Sequence, residues 1–136
     1  GAGAQKVYAL NGQTGEKKWE FKTGGNVWTT PTINSDGTVY IGSTDRKVYA
    51  ITPDGRKKWE YKTGGAVIRS TAIGNNGTIY FGGIWSTGFH AISQGGIKKW
   101  ALDLGGDIIS APVIGRDGIV YFGADNNYLY AIKTDI

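Results

Sequence analysis

The chain has 136 residues, of which 40% are hydrophobic and 19% charged, enough for one domain with a core of its own but short for a closed all-β ring. It has no cysteine, which excludes a disulfide framework or thiolate metal site and leaves the redox compartment open, and no apolar run approaches the roughly 20 residues of a membrane helix, so no membrane insertion is expected. The net charge of +4 comes from 15 basic against 11 acidic residues, but six of the basic ones recur as Lys17-Lys18, Lys57-Lys58 and Lys98-Lys99; charge dispersed in this way does not form a nucleic-acid surface, and no nucleic-acid partner is expected.

In chain order, Lys6–Leu10 and Lys17–Lys22 read as two strands. Val27–Ile33, Thr38–Gly42, Lys47–Ile51 and Lys57–Lys62 follow as four more. The breaks at Ser35-Asp36-Gly37, Pro53-Asp54-Gly55, Asn75-Asn76-Gly77 and Arg116-Asp117-Gly118 offer Gly or Asn for the positive φ of tight hairpins. Two strands of the unit, Val39-Tyr40-Ile41 and Val48-Tyr49-Ala50-Ile51, are apolar on consecutive residues, the pattern of a sheet covered on both faces. The last strand alternates instead, with Lys17, Trp19 and Phe21 opposite Lys18, Glu20 and Lys22. It reads as an outer edge whose charges discourage stray pairing.

The whole text then repeats. Trp19, Trp59 and Trp100 stand 40 and 41 residues apart. The double glycines at 24, 64 and 105, the Gly-X-X-Tyr segments opened by Gly37, Gly77 and Gly118, and the series Tyr8, Tyr49, His90, Tyr130 keep the same period. A unit of about 40 residues with four antiparallel strands, stacked against copies of itself, is the blade of a β-propeller. The fold expected is therefore all-β, with about three blades forming a partial or oligomer-completed ring. By phase, residues 1–25 are the end of a blade, 26–65 and 66–106 are full blades, and 107–136 are the first three strands of another. The third strand is thus represented at both ends.

Val7-Tyr-Ala-Leu-Asn-Gly-Gln-Thr-Gly-Glu-Lys-Lys-Trp19 resembles the tryptophan-docking motif of PQQ-like, quinoprotein-type propeller repeats. Thr29-Thr30-Pro31 and Ser110-Ala111-Pro112 resemble the small-small-Pro of that family's innermost strand, and Gly37–Ser43 its second strand. The resemblance implies that Trp19, Trp59 and Trp100 dock each blade on the next and are structural. It also implies an extracytoplasmic setting, periplasmic or cell-surface, and a protein partner.

Catalytic chemistry is sparse. There is no Gly-X-Ser-X-Gly, no phosphate-binding or dinucleotide fingerprint, and a single His, so hydrolase, zinc-enzyme and nucleotide-binding constellations are not formed. His90 takes a place held elsewhere by Tyr and reads as a strand side chain. Asp36, Asp54, Asp117 and Asp125 fall in turns, where Asp bonds its own backbone. No cofactor and no metal are expected. Residues that break the repeat remain as the candidate binding surface, because structural demands are alike in every blade. They are Trp28, where Ile68 and Ile109 stand; Arg69, where Thr29 and Ser110 stand; and Trp85, in a loop one residue longer than Ser43–Lys47. The function expected is a non-catalytic interaction scaffold whose partner is a protein or a second copy of the chain. In the latter case Lys6–Leu10 and Lys17–Lys22 of one chain complete the last blade of another. The alternatives are a truncated or engineered stretch of propeller with no activity of its own, and a fragment of a quinone-dependent dehydrogenase. That second alternative lacks the vicinal disulfide of such enzymes.

Overall fold

The computed structural model describes residues 5–67, 69–84, 88–108 and 110–134. The described residues form antiparallel strands in four sheets, with no helix. β1 (Lys6–Leu10) pairs with β2 (Lys17–Lys22) as a two-stranded sheet. β3 (Thr32–Ile33), β4 (Val39–Ser43), β5 (Lys47–Ile51) and β6 (Lys57–Lys62) form a four-stranded meander. β7 (Ala72–Ile73), β8 (Ile79–Gly82), β9 (Phe89–Ile92) and β10 (Lys98–Leu102) form a second. β11 (Val113–Ile114), β12 (Ile119–Gly123) and β13 (Leu129–Lys133) form the last, three-stranded sheet.

The innermost strand is shorter than the sequence suggests. Where Val27–Ile33 reads as one strand, only Thr32–Ile33 joins the ladder. Pro31 has no N–H to donate, and the Thr29 hydroxyl takes over the work of the missing rungs. Its Oγ1 accepts from Gly42 N at 3.0 Å and donates to Gly42 O at 3.3 Å. Ser110 accepts from Gly123 N in the same way at 2.7 Å. The small residues of this segment are hydrogen-bonding partners for the second strand.

Stacking is what buries the double-sided strands. β4 and β5 are buried along nearly their whole length, as are β8 and β9. Three apolar clusters lie between successive sheets. Val7, Trp19 and Phe21 meet Ile41, Tyr49 and Ile51; Tyr40, Val48 and Ala50 meet Ile79, Phe81 and Ile92; Tyr80, Phe89 and Ala91 meet Val120, Phe122 and Ile132. Phe89 and Phe122 stack face to face, 3.8 Å between centroids and 7° apart in plane.

Close approach of the sheets is set by a glycine in the second strand. A Cβ on Gly42 would lie 2.3 Å from Val67 Cγ1, and one on Gly82 would lie 2.4 Å from Ile108 Cβ. Val67 and Ile108 belong to the chain entering the next blade and are completely buried. Each is a knob filling the hole that its glycine leaves.

On the outer strand, Glu60 lies 2.6 Å from both Lys47 and Lys57, and these hydrogen bonds hold its carboxyl well below the usual range, to about 2. Glu20 is bridged likewise by Lys6 and Lys17 at 2.9 and 3.0 Å. In the third repeat Ala101 stands in the place of the acid. Because the Glu60 carboxyl is depressed in the folded state, its contribution is present above the unfolded value near 4.5 and fades as pH falls toward 2. Glu60→Gln is therefore expected to lower stability modestly at pH 7, where the charged carboxyl contributes, and the difference from the parent chain to shrink as pH falls through that range. Urea titrations at several pH values check this.

The glycine holes give a second expectation. Gly42→Ala overpacks the Val67 contact and lowers stability by about 1–3 kcal/mol. Gly12→Ala, at a site with nothing within 4 Å of the added Cβ, changes it by less than about 0.5 kcal/mol. Thermal unfolding of the two variants side by side reads the difference.

Candidate functional site

The docking tryptophans form the first recurrent site. Trp19 leaves β2 and crosses to the turn between β5 and β6, where Nε1 donates to Pro53 O at 2.9 Å and the indole lies on Gly55. A Cβ there would sit 2.6 Å from Trp19 Cγ. Trp59 repeats the geometry one blade on, donating to Gln94 O at 2.8 Å and covering Gly96, whose Cβ would meet Cδ2 at 2.7 Å. Gly55 and Gly96 have φ of 90° and 83°, a region that costs glycine nothing. Positive φ and absence of Cβ are thus both used at one residue. Trp100 packs beside Tyr80 and Phe89 within its own sheet, at 6.1 Å from each. Among the described residues no carbonyl accepts from its indole.

A second recurrent feature, which the sequence reading did not single out, ties the double glycine to the turn after the second strand. Gly24 N donates to Asp45 Oδ2 at 3.0 Å, and Asn26 N donates to Thr44 Oγ1 at 2.8 Å. A Cβ on Gly25 would lie 2.6 Å from Asp45 N. The Tyr49 hydroxyl also donates to Asp45, and burial together with that bond pushes the phenol up. In the last sheet Asp125 receives Asp107 N at 2.9 Å, and Asn126 donates to Tyr130 Oη at 2.8 Å. The signal available in the sequence was the spacing of Asp45 and Asn126, each four residues before its tyrosine. Arg46 and Asn127 in these turns share a positive φ, 71° and 72°.

Turn chemistry also accounts for the other carboxylates. Asp36 accepts from Thr38 N at 2.9 Å and Asp117 from Ile119 N at 3.1 Å, while Asp54 bonds Thr52. No group of three or more His, Asp or Glu gathers among the described residues. His90 lies in β9, buried, stacked on Phe81 at 5.1 Å and 3.3 Å from the Tyr61 hydroxyl. It sits in the tyrosine place of its sheet.

The three repeat-breaking residues are placed differently. Trp28 is 51% exposed on the irregular segment before β3. Arg69 is exposed on the corresponding segment of the next blade. The two segments are adjacent, since Thr30 N donates to Ser70 Oγ at 2.9 Å and the Thr32 and Thr71 hydroxyls are 2.5 Å apart. Arg69 takes the place at which Thr29 and Ser110 accept from the second strand, and a guanidinium has no acceptor to offer. Trp85 lies outside the described residues, as do Ile68 and Ile109, with which the sequence compares Trp28.

Trp59 tests the docking role. Trp59→Ala is expected to cost about 2–4 kcal/mol of stability, as for truncation of a large aromatic in a packed contact. Trp59→Phe keeps a ring over Gly96 and loses about 1 kcal/mol for the indole hydrogen bond. Denaturant unfolding of both variants measures this.

Solved structures share the fold at low identity. BamB from Moraxella catarrhalis superposes with a TM-score of 0.82 at 19% identity, over 96% of this chain and 40% of that one. The computationally designed Ika4 protein gives 0.79 at 17% identity, over 99% of this chain and 83% of that one. A streptogramin B lyase gives 0.74 at 20% identity, over 96% and 45%. The chain thus spans about two fifths of the length of the BamB structure, and at these identities the likeness is one of fold. No curated protein matches the sequence. The family model described as outer membrane protein assembly factor BamB matches residues 1–135, and the chain belongs to that family of PQQ-like β-propeller repeats.

Proposed function

We propose that the chain is a non-catalytic propeller scaffold that binds a protein partner through the surface around Trp28 and Arg69, in an extracytoplasmic setting. The observation that carries the reading is the pairing of two departures from the repeat on adjacent inner segments. Trp28 leaves half its surface in water, and Arg69 occupies a place where the fold elsewhere uses a hydroxyl acceptor. Large exposed aromatics beside an arginine are the residue types that carry protein–protein binding energy. The family description, an outer membrane protein assembly factor, supports a partner among envelope proteins. The absence of a Ser–His or Cys–His pairing in the sequence supports a binding role over a hydrolytic one.

A photo-crosslinking side chain at position 28, introduced into the chain and exposed to an envelope fraction, is expected to capture one discrete partner. The same side chain at Lys18 on the outer strand captures none. Arg69→Ala is expected to weaken capture at position 28 about tenfold or more, as for an interface anchor. Equal capture at both positions, or capture unaffected by Arg69→Ala, would overturn the assignment of this surface.

A further inference from the structure

The outer strand of the third blade differs from its two counterparts at the residues that decide what can lie against it, and the geometry points to a second copy of the chain as the occupant. β10 of one copy pairs antiparallel with β10 of the other about a two-fold axis at Ala101, joining the two propellers rim to rim.

The outer strand of a blade is paired on one side only, β2 with β1, β6 with β5 and β10 with β9, so alternate N–H and C=O groups point outward from the rim. Neighbouring blades stack on the faces of a sheet and leave this edge open. β6 belongs to a sheet packed on both faces, yet Lys57, Lys58 and Lys62 remain exposed.

In the first two blades the edge is guarded by charge. β2 and the residue before it carry Glu16, Glu20 and Lys22; β6 and the residue before it carry Arg56, Glu60 and Lys62. Glu20 and Glu60 are each held between two lysines. The third blade replaces all three places at once, with Ile97, Ala101 and Asp103. Ile97 is 71% exposed, and Ala101 and Leu102 are exposed beside it. Three departures on the outward strand of one blade are no demand of the propeller, since the other two blades meet that demand with charge.

Two-fold pairing accounts for which residues were exchanged. About an axis perpendicular to the sheet, an antiparallel pair of identical strands sets one residue opposite its own copy, and the residues on either side meet across the axis by equal steps. With Ala101 at the axis, Ala101 meets Ala101, Trp100 meets Leu102 and Lys99 meets Asp103, the last two contacts occurring twice. The same register in β6 sets Glu60 against Glu60 and Lys58 against Lys62. In β2 it sets Glu20 against Glu20 and Lys18 against Lys22. Like charges directly opposite each other destabilise a strand pair and opposite charges stabilise it. Acid to alanine and lysine to aspartate thus turn a self-repelling edge into a self-complementary one.

The charged groups at this seam have capacity for the contact. Lys99 Nζ donates to Thr78 Oγ1 at 2.9 Å, and an ammonium has further protons to give. Asp103 Oδ1 accepts from Gly105 N at 3.1 Å, and a carboxylate has further lone pairs. The register of β10 on β9 shifts between Lys98 and Trp100, so the ladder between copies runs over residues 99–103 and ends at that bulge. So short a ladder makes a contact of the weak, transient class.

Sedimentation and light scattering of the chain from micromolar to near-millimolar concentration read the assembly. The expected species is a reversible dimer of twice the 14.6 kDa of the chain, weakened by added salt. Asp103→Lys, which restores the residue of the other two blades, is expected to weaken dimerisation about tenfold or more by reversing both charge pairs. Lys99→Asp combined with Asp103→Lys in one chain is expected to restore it. Because the chain has no cysteine of its own, Ala101→Cys reports the axis directly. Paired antiparallel residues lie within disulfide reach, so a disulfide-linked dimer is expected on oxidation, and Glu60→Cys in β6 gives none. Positions 99, 101 and 103 are exposed, so thermal midpoints close to the parent's are expected for these variants. A monomer at every concentration, a dimer that the charge exchange does not rescue, or an Ala101→Cys chain that fails to cross-link overturns the proposal. So does a photo-crosslinking side chain at position 101 that yields an adduct with a different envelope protein and none of twice the chain's mass. None of these outcomes bears on capture at position 28.

Discussion

The second and third strands of the two complete sheets, β4, β5, β8 and β9, are buried on both faces, and such a strand is stable only between two neighbours. The requirement dictates most of the rest. Sheets must approach closely enough to exclude water, which explains the glycines at 42 and 82 and the Val and Ile that enter them. At roughly 25 cal/mol per Å² of apolar surface removed from water, the aromatic and aliphatic residues of each cluster supply the drive, and the knob-in-hole contacts fix the spacing at which it is realised. Interiors packed at crystal-like density tolerate neither a void nor an added methyl at such points.

The tryptophans solve a different problem at the rim. The outer strand is an edge, charged on one side and therefore weakly held by burial. Trp19 and Trp59 reach past it to clasp the next blade's turn, joining hydrophobic contact on a glycine to a hydrogen bond with a carbonyl two residues earlier. The Glu–Lys bridges beside them are too exposed to hold the blade by themselves. They satisfy the edge and discourage unwanted pairing, while the indoles carry the connection between blades.

Much of this was legible in the sequence because the repeat states each demand three times over. The period, the double-sided strands and the edge strand follow from residue spacing alone, and the sheets of the structure follow that pattern. The innermost strand was read too long, because Val27–Ile33 has strand-like residues while the Thr29 hydroxyl and Pro31 replace ladder bonds. The clasp of Asp45 on the double glycine was hidden for another reason. Its acceptor is Asp in one blade and its counterpart is Asn126 in another, so no single residue type recurs.

The same logic separates structure from function along the inner segments. At the place of Thr29 and Ser110 the fold needs a short side chain that accepts a hydrogen bond from the second strand. Arginine is long, charged and without an acceptor, so Arg69 answers to something other than the demand its counterparts meet. Trp28 likewise spends an aromatic on a half-wet position, where burial returns only part of what such a ring can contribute. A repeat protein relaxes its own rule in one copy only where another constraint outweighs it, and here two relaxations fall on neighbouring segments joined by the Thr30–Ser70 and Thr32–Thr71 bonds. Both departures thus fall on the inner segments of successive blades, the surface that the proposed partner-binding role would use.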